Sequence, residues 1–406
     1  MKTLKDERKL LAVVYFLTIA LFVNLAVLKD PIDIGALIMG GVLIILIGFS
    51  HFVIRKYYPD GDKFILIFAA VLAVIGIAVL YRLDEKVAIK QIIWFIAGIT
   101  AYILIIVLLP DLKTFNKYRY YFLAATVLFM PMALIIGDEQ YGAKNWVIVG
   151  NFSFQPSEFG KIFLVLYLAS ALRNYEDKKN LIGDFKQLVE PAAVVMASIG
   201  CMVLQRDLGS ALIFFGISVT ILYIATTKGK YVFVSLGLFS VGSVVAYGLF
   251  SHVRKRVLIW KDVWAYANDE SYQIVQGLYS ISSGGMVGVG LGQGYPGFIP
   301  VNTTDFIFAA ICEELGMVFG IGILMLYFLL FYRGMRSALK VEDRFSQLIS
   351  VGFSSMIAAQ VLVIIGGVFS VIPLTGITLP LISYGGTSML TMFFALGIMQ
   401  KISEEG

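Results

Sequence analysis

Apolar residues run along this 406-residue chain in blocks separated by short polar segments that carry most of the charge. Many blocks approach the roughly 20 residues a helix needs to cross the hydrocarbon core of a bilayer. Twelve are recognisable, at 10–28, 34–54, 64–81, 91–109, 120–136, 158–172, 191–204, 208–226, 231–250, 306–332, 348–371 and 385–401. The pattern predicts an all-α polytopic integral membrane protein with about 12 transmembrane helices. The first block is too long for the apolar core of a signal peptide and lacks a small-x-small cleavage site, so it reads as an uncleaved first helix.

Charge then orients the spans. With the N-terminus inside, the clusters Arg55/Lys56/Lys63, Lys113/Lys117/Arg119, Arg173/Lys178/Lys179/Lys186, Lys228/Lys230 and Arg333/Arg336/Lys340/Arg344 all face the cytoplasm, as the positive-inside rule requires. An even number of spans returns the C-terminus to the same side, so both termini are expected to be cytoplasmic. Three longer segments, 137–157, 251–305 and 369–386, fall on the outer face.

Composition agrees and closes off other classes. Hydrophobic residues make up 59% and charged residues 15%, and the mean hydropathy is +0.86, outside the range of soluble domains. The net charge of +5 is scattered between spans and does not form a nucleic-acid surface. Cys201 and Cys312 lie in apolar segments, and His51 and His252 are far apart, so neither a disulfide framework nor a His/Cys metal site is supported.

The candidate chemistry is on the outer side. Seven of the fourteen residues 284–297 are glycine, which suits backbone held close to a ligand or another chain. No strand or βαβ unit surrounds the G-x-G-x-G of this stretch, so a dinucleotide or P-loop reading fails and no organic cofactor is implied. Asp305 follows at the mouth of an apolar segment, where an ionisable group is by default functional. On helical spacing Ala309, Cys312, Gly316 and Gly320 stack on its face, with Glu314 opposite and Glu313 near the edge. That small-residue stripe would let another helix approach and turn the acid into the bundle.

Other positions leave two readings open. Glu158 and Lys161 follow Gln155-Pro156-Ser157 as a helix cap with an i,i+3 ion pair, or as part of a site. Trp146 is an interfacial anchor or a site residue. Asp207, between two short apolar runs, caps a helix or shares a polar site with Glu158, Lys161 and Asp305. Arg254, Lys255, Arg256 and Lys261 alternate with Val257, Leu258, Ile259, Trp260 and Trp264, which suits an interfacial helix that anchors the chain or holds a lipid pyrophosphate. In 372–388 two prolines and three glycines break the last outer segment. Irregular backbone at membrane depth is tolerated only where protein buries it or it lines a cavity.

The motifs GAKNW, FQPSEFGK, QRDLGSAL, YQIVQGLYSISSGGMVGVGLGQG, TDFIFAAICEELG and IPLTGITLPLISYGGTS, in this order, strongly resemble the SEDS family of FtsW, RodA and SpoVE. The resemblance covers roughly 61–402. Family members typically have about ten spans, so it divides the chain into two additional N-terminal helices, 1–60, and a core, 61–406, with a large extracellular loop, 251–305. It implies a peptidoglycan glycosyltransferase polymerising lipid II at the outer face of the bacterial cytoplasmic membrane during division, elongation or sporulation, with a class B penicillin-binding protein as partner. The family's essential aspartate falls on Asp305, and its motif residues on Trp146, Glu158, Lys161 and Asp207. Arg256 joins these as a candidate substrate contact. Asp305, Glu158 and Asp207 are the oxygen donors that would suit Mg²⁺ or Mn²⁺. The alternatives are a lipid II flippase, which broken helices and intramembrane charges also suit, and a non-catalytic scaffold for the penicillin-binding protein.

Overall fold

With no water to satisfy their backbones, the apolar blocks have to become helices. The computed structural model describes residues 2–140, 142–150, 152–178 and 181–405; Lys179 of the third basic cluster lies outside them. The first half of the chain forms α1 (Lys2–Val27), α2 (Ile34–Tyr57), α3 (Phe64–Leu83), α4 (Glu85–Leu108), α5 (Arg119–Ile136), α6 (Pro156–Leu172) and α7 (Leu181–Leu204). The second forms α8 (Leu208–Thr226), α9 (Gly229–Leu249), α10 (Ser251–Lys261), α11 (Tyr272–Gly284), α12 (Ile307–Lys340), α13 (Arg344–Val368) and α14 (Gly386–Glu405). Among the described residues ten helices are long and apolar enough to cross a membrane. The remaining two of the predicted twelve are α6, of 17 residues, and α14. Both are buried over most of their length, so neither depends on lipid to cover it.

Starts follow local chemistry. Asp33, Asp84, Asp207 and Asp343 each accept a backbone N–H at the head of α2, α4, α8 and α13, satisfying donors the helix leaves free. Pro156 occupies the first turn of α6, where its missing N–H costs nothing. At the centre lie α3 and α13, buried along most of their length, while α9 buries none of its residues. Phe16, Phe233 and Ile135 are about three-quarters exposed, as side chains facing lipid would be.

The outer segments hold the departures from expectation. Segment 137–157 is not helix or plain loop: β1 (Asp138–Gln140), β2 (Ala143–Val149) and β3 (Phe152–Phe154) form an antiparallel sheet in the order β1-β2-β3. The long loop contains the interfacial α10 and also α11, whose Gly277 lies so close to Phe306 that a Cβ there would come within 2.6 Å of the ring.

Most consequentially, α12 is broken at Gly316, which takes φ 85°, a left-handed conformation natural only to glycine. The stripe of Ala309, Cys312, Gly316 and Gly320 therefore does not run on as one straight helix face. At the break, backbone N–H groups turn to the glycine loop: Met317 donates to Gly285 and Val318 to Met286 at 3.0 and 3.1 Å, while Val289 and Gly290 donate back to Glu313 and Glu314 at 3.0 and 2.9 Å. Glu314 lies ahead of the break, on the helical part of α12. Both glutamates are buried, and Glu313 Oε1 and Glu314 Oε2 accept from Tyr295 and Gly292 of the same loop.

Candidate active site

Asp305 lies in the turn just before α12, outside the membrane-spanning segment. It is densely surrounded but retains some accessible surface. Its turn is held from the last outer segment: Tyr384 N–H donates to Thr303 O at 2.9 Å and Ser383 Oγ to Thr304 O at 2.7 Å. Asp305 Oδ2 lies 3.6 Å from where a Cβ on Gly376 would stand, and Gly376 itself adopts φ 72°. A side chain at 376 would therefore touch the carboxylate, and the left-handed φ would strain its backbone. Loss of solvent pushes the Asp305 carboxyl up to about 6, against smaller opposing effects from Thr304 and the Arg256 charge. A carboxylate so poised can take a proton near neutral pH.

Arg256, on α10, reaches the same segment. Its Nη1 donates to the carbonyls of Leu374 and Thr375 at 3.2 and 3.1 Å. Burial lowers its basicity, while Asp207 and Asp305 act on it in the opposite sense, so the guanidinium stands in the field of both acids. Asp207 is itself fully occupied: Ser210 N–H and Oγ, Asn145 Nδ2 and Gln155 Nε2 donate to it at 2.9, 2.8, 3.3 and 3.0 Å. The helix-cap reading is thus realised, and its further partners are Asn145 and Gln155.

Glu158 and Lys161 form a layer inside the bundle. Lys161 Nζ donates to Glu158 Oε1 at 2.8 Å and to Gln360 Oε1 at 3.0 Å, and the side chain is 1% exposed. The other Glu158 oxygen accepts from Thr391 Oγ1 at 3.2 Å, and Gln360 Nε2 donates to Thr378 O at 2.9 Å. With two of its three N–H donors engaged inside the bundle, Lys161 ties Glu158 to Gln360 and through it to the Thr378 carbonyl. Trp146 stands half-buried in β2 beside Asn145, and Arg206 ties that sheet to the α7–α8 turn through Glu139 and Gly142. The structure thus brings Arg256 and Asp305 to residues 374–376 with Asp207 in the field of Arg256, ties Glu158 and Lys161 to Gln360 and Thr391, and leaves Trp146 in the sheet. The residues that join these, Gln360, Thr375, Gly376 and Thr391, are not candidates of the sequence; the broken pattern of 372–388 signals only Thr375 and Gly376.

Donor chemistry limits where a metal would sit. Among the described residues no three His, Cys, Asp or Glu side chains converge, and the oxygens of Glu158 and Asp207 are engaged as above. Asp305 is the carboxylate left for Mg²⁺ or Mn²⁺, and an ion held by one carboxylate would complete its shell with water and phosphate oxygens.

A cavity of about 1120 Å³ opens beside this group. Its walls come from α7, α8 and α9 and are almost wholly apolar, including Leu212, Phe215, Leu238 and Phe239; Arg256 and Thr375 line it too. An apolar chamber between helices with a cation on its wall and an acid close by suits an amphiphile with a charged head.

The cell cycle protein family of FtsW, RodA and SpoVE matches residues 61–406. Peptidoglycan glycosyltransferase RodA of Mycobacterium tuberculosis is 36% identical over 386 residues, covering 90% of this chain and 82% of its own length. Stage V sporulation protein E of Bacillus subtilis is 34% identical, covering 80% and 89%. Among solved structures, one described as the structural coordination of polymerization and crosslinking by a peptidoglycan synthase complex superposes with a TM-score of 0.72 at 27% identity, over 84% of this chain and 97% of that one. The crystal structure of Thermus thermophilus rod shape determining protein RodA gives 0.64 at 26% identity, over 84% and 96%. With the matching fold and the acid-bearing turn in place, the chain belongs to the FtsW/RodA/SpoVE family.

Proposed function

We propose that this protein is a peptidoglycan glycosyltransferase that polymerises lipid II at the outer face of the bacterial cytoplasmic membrane, working with a class B penicillin-binding protein. The observation that carries the reading is the placement of Asp305, a partly accessible acid with a raised pKa, near Arg256 on the wall of an apolar cavity. The names of the relatives and the synthase complex among the structural neighbours support it.

In this mechanism the prenyl tail of the donor occupies the chamber between α7, α8 and α9, and its pyrophosphate lies towards Arg256. The Asp305 carboxylate takes the proton of the acceptor GlcNAc 4-hydroxyl. The oxygen's electron pair then forms a bond to C1 of the donor MurNAc, and the C1–O bond to pyrophosphate breaks with inversion. Undecaprenyl pyrophosphate leaves with the bonding electrons. One acid suffices because this leaving group needs little protonation, unlike the sugar oxygen released by paired-carboxylate glycosidases. A divalent ion, when bound, would neutralise pyrophosphate charge; one Asp305 oxygen would hold it and the other would remain to take the proton. Glu158, Lys161 and Gln360 act by position, holding the segment on which Gly376 and the Arg256 acceptors lie.

The pH dependence follows from the raised acid. A base works only once deprotonated, so kcat/KM for strand synthesis should rise with pH through about 6 and level off above it. A pH–rate profile of the purified protein checks this; a rate independent of pH between 5 and 8 would remove Asp305 as the titrating base.

A further inference from the structure

α1 and α2 precede the 61–406 match to the family, and the mechanism above makes no use of them. Their outer turn nevertheless meets the glycine loop. Leu28, 43% exposed, lies against Gly292 so closely that a Cβ added there would come within 2.5 Å of Leu28 Cδ1, and Gly292 holds φ 83°. Five residues on, Asp33 accepts from Tyr81 Oη at 2.8 Å while capping α2, and Lys29 bridges Asp33 and Glu85 with its ammonium over the Tyr81 ring.

The adjoining Arg82 carries the connection onward. Its Nη2 donates to the carbonyls of Gly292 and Gly294 at 3.2 and 3.4 Å, and its Nε lies 3.2 Å from Glu314 Oε1. Glu314 in turn accepts from Gly292 N–H at 3.0 Å. The additional hairpin, the end of α3, the glycine loop and the head of α12 therefore form one unbroken series of contacts around Gly292. That loop contains four glycines at positive φ, Gly285, Gly288, Gly290 and Gly292, so it gives up much backbone freedom when ordered. Its chain runs on to Asp305.

We infer that the α1–α2 turn is a built-in brace for the glycine loop, with Leu28 and the Asp33–Tyr81 pair as positioning residues that raise the fraction of molecules whose Asp305 turn is set for catalysis. The kinetic half of this inference rests on the transferase reading; the bracing itself does not. Lys29 contributes little, because its exposed pairs are screened by solvent. The effect belongs on kcat and not on KM, since neither Leu28 nor Tyr81 reaches the cavity or Arg256.

The test uses full-length protein in nanodiscs, wild type against Leu28→Ala/Tyr81→Phe and the conservative Leu28→Met. Hydrogen–deuterium exchange of the amides at 285–295 should quicken about five-fold in the double variant, the worth of losing a half-exposed leucine contact, with α3 and α13 unchanged. In the same samples kcat should fall about two- to five-fold at constant KM, as for a reduced competent fraction, while Leu28→Met should leave both as in wild type. Faster exchange confined to 27–36 with the glycine loop as in wild type would overturn the brace, and a loosened loop with unchanged kcat would overturn its catalytic role. Failure of the wild type to polymerise would count against the transferase reading alone, and exchange would still decide the bracing.

Discussion

Asp305→Asn is expected to abolish strand synthesis, lowering turnover by about 10²–10⁴-fold, the span that general-base catalysis supplies, while leaving the protein folded. Asparagine keeps the shape of the side chain but cannot accept the proton of the attacking hydroxyl. The fold should not miss the charge. Helix caps, strand pairs and the buried ion pair are all made by other residues, and the surroundings of Asp305 already disfavour its ionised form. The neutral amide should therefore leave the melting temperature unchanged or slightly raised. Turnover of a lipid-linked substrate together with thermal unfolding checks both halves. A folded Asp305→Asn protein that polymerises at near-native rate would show that another group is the base.

Lys161→Ala is expected to be the costliest single change to stability among the predicted site residues. It strips the partner from Glu158, a carboxylate 6% exposed inside the bundle, and breaking a buried pair from one side costs about 3–5 kcal/mol. It also frees Gln360, whose amide holds the Thr378 carbonyl, so the segment at Gly376 should loosen and activity fall with stability. Replacing both charges, as Glu158→Gln/Lys161→Met, removes the uncompensated carboxylate and should recover most of the loss. Unfolding of Glu158→Gln, Lys161→Met and the double variant forms a cycle that isolates the coupling. A Lys161→Ala protein as stable as wild type would mean that Glu158 finds another partner.

What could be read from the sequence follows the strength of the constraint. A bilayer allows few backbone structures, so all twelve apolar blocks are helices, although α1 and α7 begin eight and ten residues earlier than expected and α12 ends eight later; Asp207 is legible as a cap because its role is local. The sheet was missed although Trp146 to Val149 and Phe152 to Phe154 flank Gly150 as hairpin strands would; the apolar surroundings drew attention to helices. Gly316 looked like one more small residue on a helix face. Its left-handed φ answers the carbonyls and N–H groups of a loop about thirty residues earlier, and such a pairing leaves no trace in local periodicity. Lys161 shows the same limit: spacing pairs it with Glu158, but only the tertiary fold shows that Gln360 joins the pair to the Thr378 carbonyl. The cavity was least legible, since its walls are the same leucines, valines and phenylalanines that face lipid elsewhere.

The most direct test of the proposed chemistry is polymerisation of labelled lipid II by the purified full-length protein, alone and with a co-purified class B penicillin-binding protein. Glycan strands are expected from the wild type in at least one of these conditions. No strands in either, accompanied by movement of lipid II between the leaflets of liposomes, would contradict the transferase and identify the cavity with transport.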